Sequence, residues 1–249
     1  MKRIVLAVTA LALAGGAALS WKAWRYRADA QRWHDRWAAL HGDPAGLARY
    51  RADNERLRRE GAVARRVVLL GASITESLDL ARLFPNEPLV NRGIGGQLIW
   101  QQWLRLEADA LSLSPAAVVI KTCAINMLPD APPLDETQRY YALMAEAVRA
   151  RGARVIWATA VPVSRSYDAA DGAGRVTPQL TRFNQWVRDQ ARSHEDLLLD
   201  YAAALADPQG YLPDALSDDG LHPNDAGKQR MADALRRVVV DGFVHAPAH

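Results

Sequence analysis

Short apolar runs alternate along this chain with longer stretches in which apolar residues recur three and four apart. The runs fall at residues 66–70, 88–91, 117–122, 154–159 and 197–200, and Val, Ile and Leu dominate them. Runs of this length with little polar alternation read as strands buried on both faces. Between them, helical spacing predicts helices near residues 76–84, 98–110, 135–151 and 179–193, and a last one from Asn224, a fitting N-cap, to about Val239. Alternation of strand and helix predicts an α/β domain, a parallel sheet covered by helices on both faces. Residues 129–134 and 164–178, rich in Pro, Gly and Ser, read as longer loops.

Composition adds a second region. The chain has 249 residues, 49% of them hydrophobic, enough for one α/β core. Charge is unevenly distributed: residues 1–66 carry 14 Lys/Arg against 6 Asp/Glu, whereas the remainder carries 17 against 22. The basic part adjoins a largely apolar, uncharged stretch, residues 4–19, flanked by Lys2 and Arg3 on one side and by Trp21, Lys22, Trp24 and Arg25 on the other. Such a belt predicts an interfacial membrane anchor, while Ala18-Leu19-Ser20 offers a cleavage site that would release the domain. Either outcome implies an extracytoplasmic location, although five basic residues between Lys22 and Arg36 oppose export. Four segments are expected: a hydrophobic anchor (1–20), a basic Trp/Arg-rich helical linker (21–61), the α/β domain (62–240) and a tail (241–249). Next to an anchor, the basic linker points to lipid rather than nucleic acid.

The candidate chemistry clusters by topology. In an open parallel sheet, ligands bind beyond the carboxyl ends of the strands. Ser73, the Gly95-Gly96 pair and Asn126 follow the first, second and third predicted strands closely, and Asp219 and His222 follow the fifth. A serine hydroxyl needs a base to become a nucleophile at neutral pH, and histidine suits that task. His222 is the candidate base and Asp219 the carboxylate that fixes its tautomer. Backbone N–H groups near Ser73 and Gly96 and the Asn126 amide are candidate donors to an oxyanion. The set needs no metal or cofactor. Gly93-Ile94-Gly95-Gly96 lacks the third glycine of a dinucleotide fingerprint, and His34, His41, His194, His245 and His249 lack ligand spacing. Cys123, the single cysteine, reads as a small buried residue rather than a thiolate.

Four blocks together resemble the SGNH, or GDSL-type, hydrolases: Gly71-Ala72-Ser73-Ile74-Thr75, Asn91-Arg92-Gly93-Ile94-Gly95-Gly96, Ala124-Ile125-Asn126, and Asp219-Gly220-Leu221-His222-Pro223. The resemblance implies a flavodoxin-like three-layer α/β/α sandwich with a five-stranded parallel sheet. It implies Ser73 as nucleophile, Asp219 and His222 as its catalytic partners, and Ser73, Gly96 and Asn126 as the oxyanion hole. The activity implied is cleavage of acyl esters of small molecules or glycans. Two positions depart from the family pattern. Ala72 and Met127 stand where its motifs carry aspartates. Those departures keep open a binding domain built on the same fold, and the same chemistry would also serve an acyltransferase. Individually, Ser73 is equally suited to cap a helix, and Asp219 and His222 to lead into one.

Overall fold

The computed structural model describes residues 42–247, and those from Ala45 onward belong to one compact unit, Ala45–His249. The predicted anchor at 4–19 lies outside the described residues, as does most of the predicted linker. Among the described residues no helix is long and apolar enough to cross a membrane.

The elements run α1 (Arg51–Glu60), β1 (Val67–Gly71), α2 (Ser73–Glu76), α3 (Leu80–Leu83), β2 (Leu89–Gly93), α4 (Ile99–Asp109), β3 (Ala117–Lys121), α5 (Leu134–Ala150), β4 (Arg154–Ala158), α6 (Arg165–Ala170), α7 (Val176–Ser193), β5 (Leu197–Leu199), α8 (Tyr201–Leu205) and α9 (Asp225–Leu235). All five strands are parallel, in the order β2-β1-β3-β4-β5. Val68 pairs with Val90 on one side and Val118 on the other, so the apolar centres of the strands are in register.

Because side chains alternate across a strand, each apolar run supplies two cores. Val68, Leu70, Val118, Ile120, Val155 and Trp157 face a core completed by Ile99 and Leu106 of α4, Tyr141 and Met144 of α5, and Phe183 and Val187 of α7. Val67, Leu69, Val119, Ile156 and Ala158 face the opposite core, with Ile74 of α2 and Met231 and Leu235 of α9. This is the expected α/β/α sandwich, and it brings the carboxyl ends of the strands to one rim.

Three expectations about local structure are corrected. The helix expected over 76–84 is two short ones, α2 and α3, because Asp79 interrupts and then caps the second, its carboxylate accepting from Arg82 N–H. The expected loop over 164–178 contains α6 and the first turn of α7, Ser164 capping α6 by accepting from Tyr167 N–H. The last helix does begin after an Asn224 cap, but it passes at Arg236 into a π-helical segment, Arg236–Val244.

Candidate active site

Ser73 is the first residue of α2, immediately beyond β1. Ala72 occupies the cap position, so the serine hydroxyl is not consumed in capping the helix. It points instead at His222, with Oγ 3.0 Å from Nε2. Helix α2 seats tightly between the ends of β1 and β2. A Cβ at Gly93 would lie 2.0 Å from the Glu76 backbone nitrogen, which restricts that position to glycine.

The partner loop is built around one carboxylate. Asp219 Oδ1 accepts the backbone N–H groups of Leu221 (2.9 Å) and His222 (2.7 Å), and Oδ2 lies 2.7 Å from His222 Nδ1. A carboxylate only accepts, so Nδ1 carries the ring proton and Nε2 is left to accept from Ser73. Burial alone would raise the Asp219 carboxyl, but the hydrogen bonds from the His222 ring and from the His222 and Leu221 backbone outweigh it and hold the group well below the usual carboxylate range. Ser217 braces the loop, its hydroxyl 2.8 Å from His222 O. Gly220 bends it at φ +78°, where its carbonyl accepts from Ser164 N–H at 2.8 Å. Neither Asp219 nor His222 caps α9; Asn224 does.

The candidate oxyanion donors meet the same rim. Gly96 has φ +74° and is exposed. Among the described residues, neither Ser73 N–H nor Gly96 N–H donates to a protein acceptor, whereas the intervening Gly95 N–H is taken up by Glu76 Oε2 at 2.9 Å. Asn126 lies in a 3₁₀ turn just after β3 and is buried. Its Oδ1 accepts Ile99 N–H at 2.9 Å, satisfying the first turn of α4, where Leu98 offers no cap. That bond orients the amide. Nδ2 is left with a long 3.3 Å contact to Cys123 O and a 3.9 Å approach to its sulfur.

The departures from the family motif are filled by packing. Ala72 and Met127 are buried, and Met127 belongs to the core cluster against α4 and α5. Cys123 is buried as well, and burial pushes its thiol up, away from thiolate character. An open recess of about 520 Å³ lies beside the Asp219–His222 pair, lined also by Asp218, Asp225 and Lys228. The sequence reading missed Ser217, Ser164 and Glu76 as braces of these loops. Their signal is weak, because each acts through a partner 5 or more positions away or through backbone atoms.

Residues 69–230 match the GDSL-like Lipase/Acylhydrolase family, and the chain belongs to it. It is thus a hydrolase of the ester-cleaving class. The match begins within β1, takes in β2 to β5 and includes every candidate site residue. Among solved structures, a Bacteroides fragilis protein assigned to the acylhydrolases is 26% identical, covering 81% of this chain and 99% of its own, with a TM-score of 0.70. A GDSL-like lipase from Bacteroides thetaiotaomicron is 24% identical over 80% of this chain and 98% of its own, at a TM-score of 0.69. An acetyl xylan esterase, 20% identical over 69% of this chain and 98% of its own, shares the fold at a TM-score of 0.57. No curated protein matches this sequence.

Proposed function

We propose that this protein is a serine esterase that cleaves acyl esters through a covalent acyl-Ser73 intermediate. The observation that carries the reading is the unbroken chain from Ser73 Oγ to His222 (3.0 Å) and from His222 to Asp219 (2.7 Å). His222 Nε2 takes the hydroxyl proton as Oγ attacks the ester carbonyl carbon. The oxyanion that forms is held by Ser73 N–H, Gly96 N–H and the Asn126 amide. Collapse breaks the bond to the alcohol, which leaves with the proton from His222. Water then gives a proton to the same nitrogen as its oxygen attacks the acyl carbon; collapse breaks the bond to Oγ, which takes that proton back from His222, releasing the carboxylic acid and free Ser73. Asp219 remains ionised throughout and stabilises the imidazolium.

Hydrolysis is favoured over acyl transfer because the His222 side chain is 43% exposed, so water reaches the base directly. A short acyl group fits best, since the segment after Ser164 is folded into α6 and pinned to Gly220 rather than extended as an apolar flap. The N-terminal stretch at 4–19 is read as a tether to the extracytoplasmic face of a membrane. Fractionating cells that express the full chain and a variant lacking residues 1–20 tests this. The catalytic reading is tested by hydrolysis of p-nitrophenyl esters from acetyl to palmitoyl. Turnover should be fastest for acetyl or butyryl and lost in Ser73→Ala, and faster release of palmitate would reverse the chain-length reading.

A further inference from the structure

The described segment ahead of β1 is bonded to the rim that carries the candidate site. Tyr50 donates its hydroxyl to Gly93 O at the end of β2. Arg49 meets Glu76 Oε1 at 3.0 Å, and the other oxygen of that carboxylate accepts Gly95 N–H. Ala45 O accepts from Gln97 Nε2 at 2.7 Å. Asn54, buried in α1, donates to Asp109 Oδ1 at 2.6 Å and accepts from Arg92 Nε at 2.9 Å, and Arg92 reaches Asp53 at 2.7 Å.

Two of these lines, through Gln97 and through Asp109, meet at Arg105, a fully buried residue of α4. Its guanidinium donates in three directions: to Gln97 Oε1 (2.6 Å), to Asp109 Oδ2 (3.0 Å) and to Gly71 O (2.8 Å). Gly71 O also accepts Ile94 N–H at 3.1 Å, so a single carbonyl ties the strand end before Ser73 to the loop that leads to Gly96. A buried ion pair is a poor source of stability, because desolvation offsets the attraction. What a planar fork bonded through each of its three nitrogens does supply is geometry.

We propose that the segment 45–60, together with the Arg105–Asp109 pair on which it closes, is a positioning device for ester cleavage: it fixes the spacing of the Ser73 and Gly96 N–H groups so that both reach one oxyanion. The proposal rests on the reading of Ser73 as nucleophile. The segment bonds to Glu76, Arg92, Gly93, Gln97 and Asp109, and none of these bonds reaches the side chains of Ser73, Asp219 or His222. Its contacts end one residue from Gly96, at Gly95 N–H through Glu76, and two residues from Ser73, at Gly71 O. Loosening it should therefore slow the step in which negative charge develops and leave ground-state binding alone.

The test uses the full chain with Tyr50→Phe, which deletes one hydroxyl from a half-buried ring, and Arg105→Lys, which keeps the charge beside Asp109 but loses the fork. For p-nitrophenyl acetate the expected result is a kcat lower by about threefold to tenfold in Tyr50→Phe and by at least about tenfold in Arg105→Lys, with KM changed by less than about twofold. Tyr50→Phe should melt within a few degrees of the wild type, which keeps the test valid if Arg105→Lys fails to fold. An unchanged kcat in folded Tyr50→Phe, or a raised KM at constant kcat, would overturn the proposal. Fluorophosphonate labelling of the wild type is scored separately. Labelling at Ser73 with unchanged variant kcat sinks only the positioning role, whereas absence of labelling sinks the nucleophile reading and this proposal with it.

Discussion

His222 Nε2 lies 3.0 Å from Ser73 Oγ, although 149 positions separate the two residues in the chain. The parallel sheet accounts for the meeting. β1 delivers Ser73 to the carboxyl rim, and the chain returns to that rim after β5 before entering α9. A carboxylate locked by three hydrogen bonds then sets the ring's tautomer.

Replacing Asp219 by Asn keeps the shape of the loop but removes the charge and frees the ring to take the wrong tautomer. In other triads that change costs roughly 10⁴-fold in kcat, and a fall of about 10³-fold or more is expected here, read from steady-state ester hydrolysis. The same variant has a pH signature in stability. Because the folded Asp219 carboxyl lies below its ordinary value of 3.8, its contribution is present in full above that pH and is lost as pH falls further. The difference in melting temperature between wild type and Asp219→Asn should therefore be constant near neutrality and shrink below about pH 4.

Lys121, buried at the end of β3, has a carbonyl, Thr122 O at 3.1 Å, as its hydrogen-bond partner. Burial pushes its ammonium down to about 8 from an ordinary 10.5. Between those values the unfolded chain holds the proton and the folded one does not, so stability should climb as pH rises from about 8 to 10.5 and be flat below. The depression corresponds to roughly 3 kcal/mol, and Lys121→Met should recover a part of that at pH 7 and abolish the climb. Urea unfolding at pH 7 and pH 10 measures both.

Gly220 holds φ +78°, and a Cβ there would meet Ser164 Oγ at 2.2 Å. Gly220→Ala should destabilise the protein by about 1–3 kcal/mol and displace His222 from Ser73. Activity should fall more steeply than the melting temperature, a split visible by assaying well below the transition.

Met127 stands where the family motif carries an aspartate, yet its side chain has no exposed surface. Restoring the motif by Met127→Asp would bury a carboxylate in a hydrophobic cluster. A loss of roughly 3 kcal/mol or more is expected, rather than a gain in activity. Thermal unfolding of the variant checks it.

The strands were legible because burial on both faces leaves little room for polar residues: Val67 to Leu70 could hardly be anything else once helices flank it. Ser73, Gly96 and Asn126 were legible because each follows a strand within five residues, whereas Asp219 and His222, some twenty residues beyond β5, were legible from their three-residue spacing in a glycine-containing loop ahead of the last helix. The cap of α7 was not. Asp168 supplies it from α6, accepting the N–H groups of Val176 and Thr177, so no local window around residue 176 contains the signal. Arg105 was hidden for a similar reason. Asp109, four residues on, is a visible partner, but Asn54, Gln97 and Gly71 O come together only in the folded chain. An arginine in an amphipathic helix reads as solvated until those partners are known.

Whether the Ser73 hydroxyl is a nucleophile is measured by mass spectrometry of the folded protein after reaction with a fluorophosphonate. One phosphonyl group is expected on Ser73 of the wild type, and none on Ser73→Ala or, at the same exposure time, on His222→Ala. An unmodified wild type, or a label carried by another residue and unaffected by these substitutions, would contradict a nucleophilic Ser73.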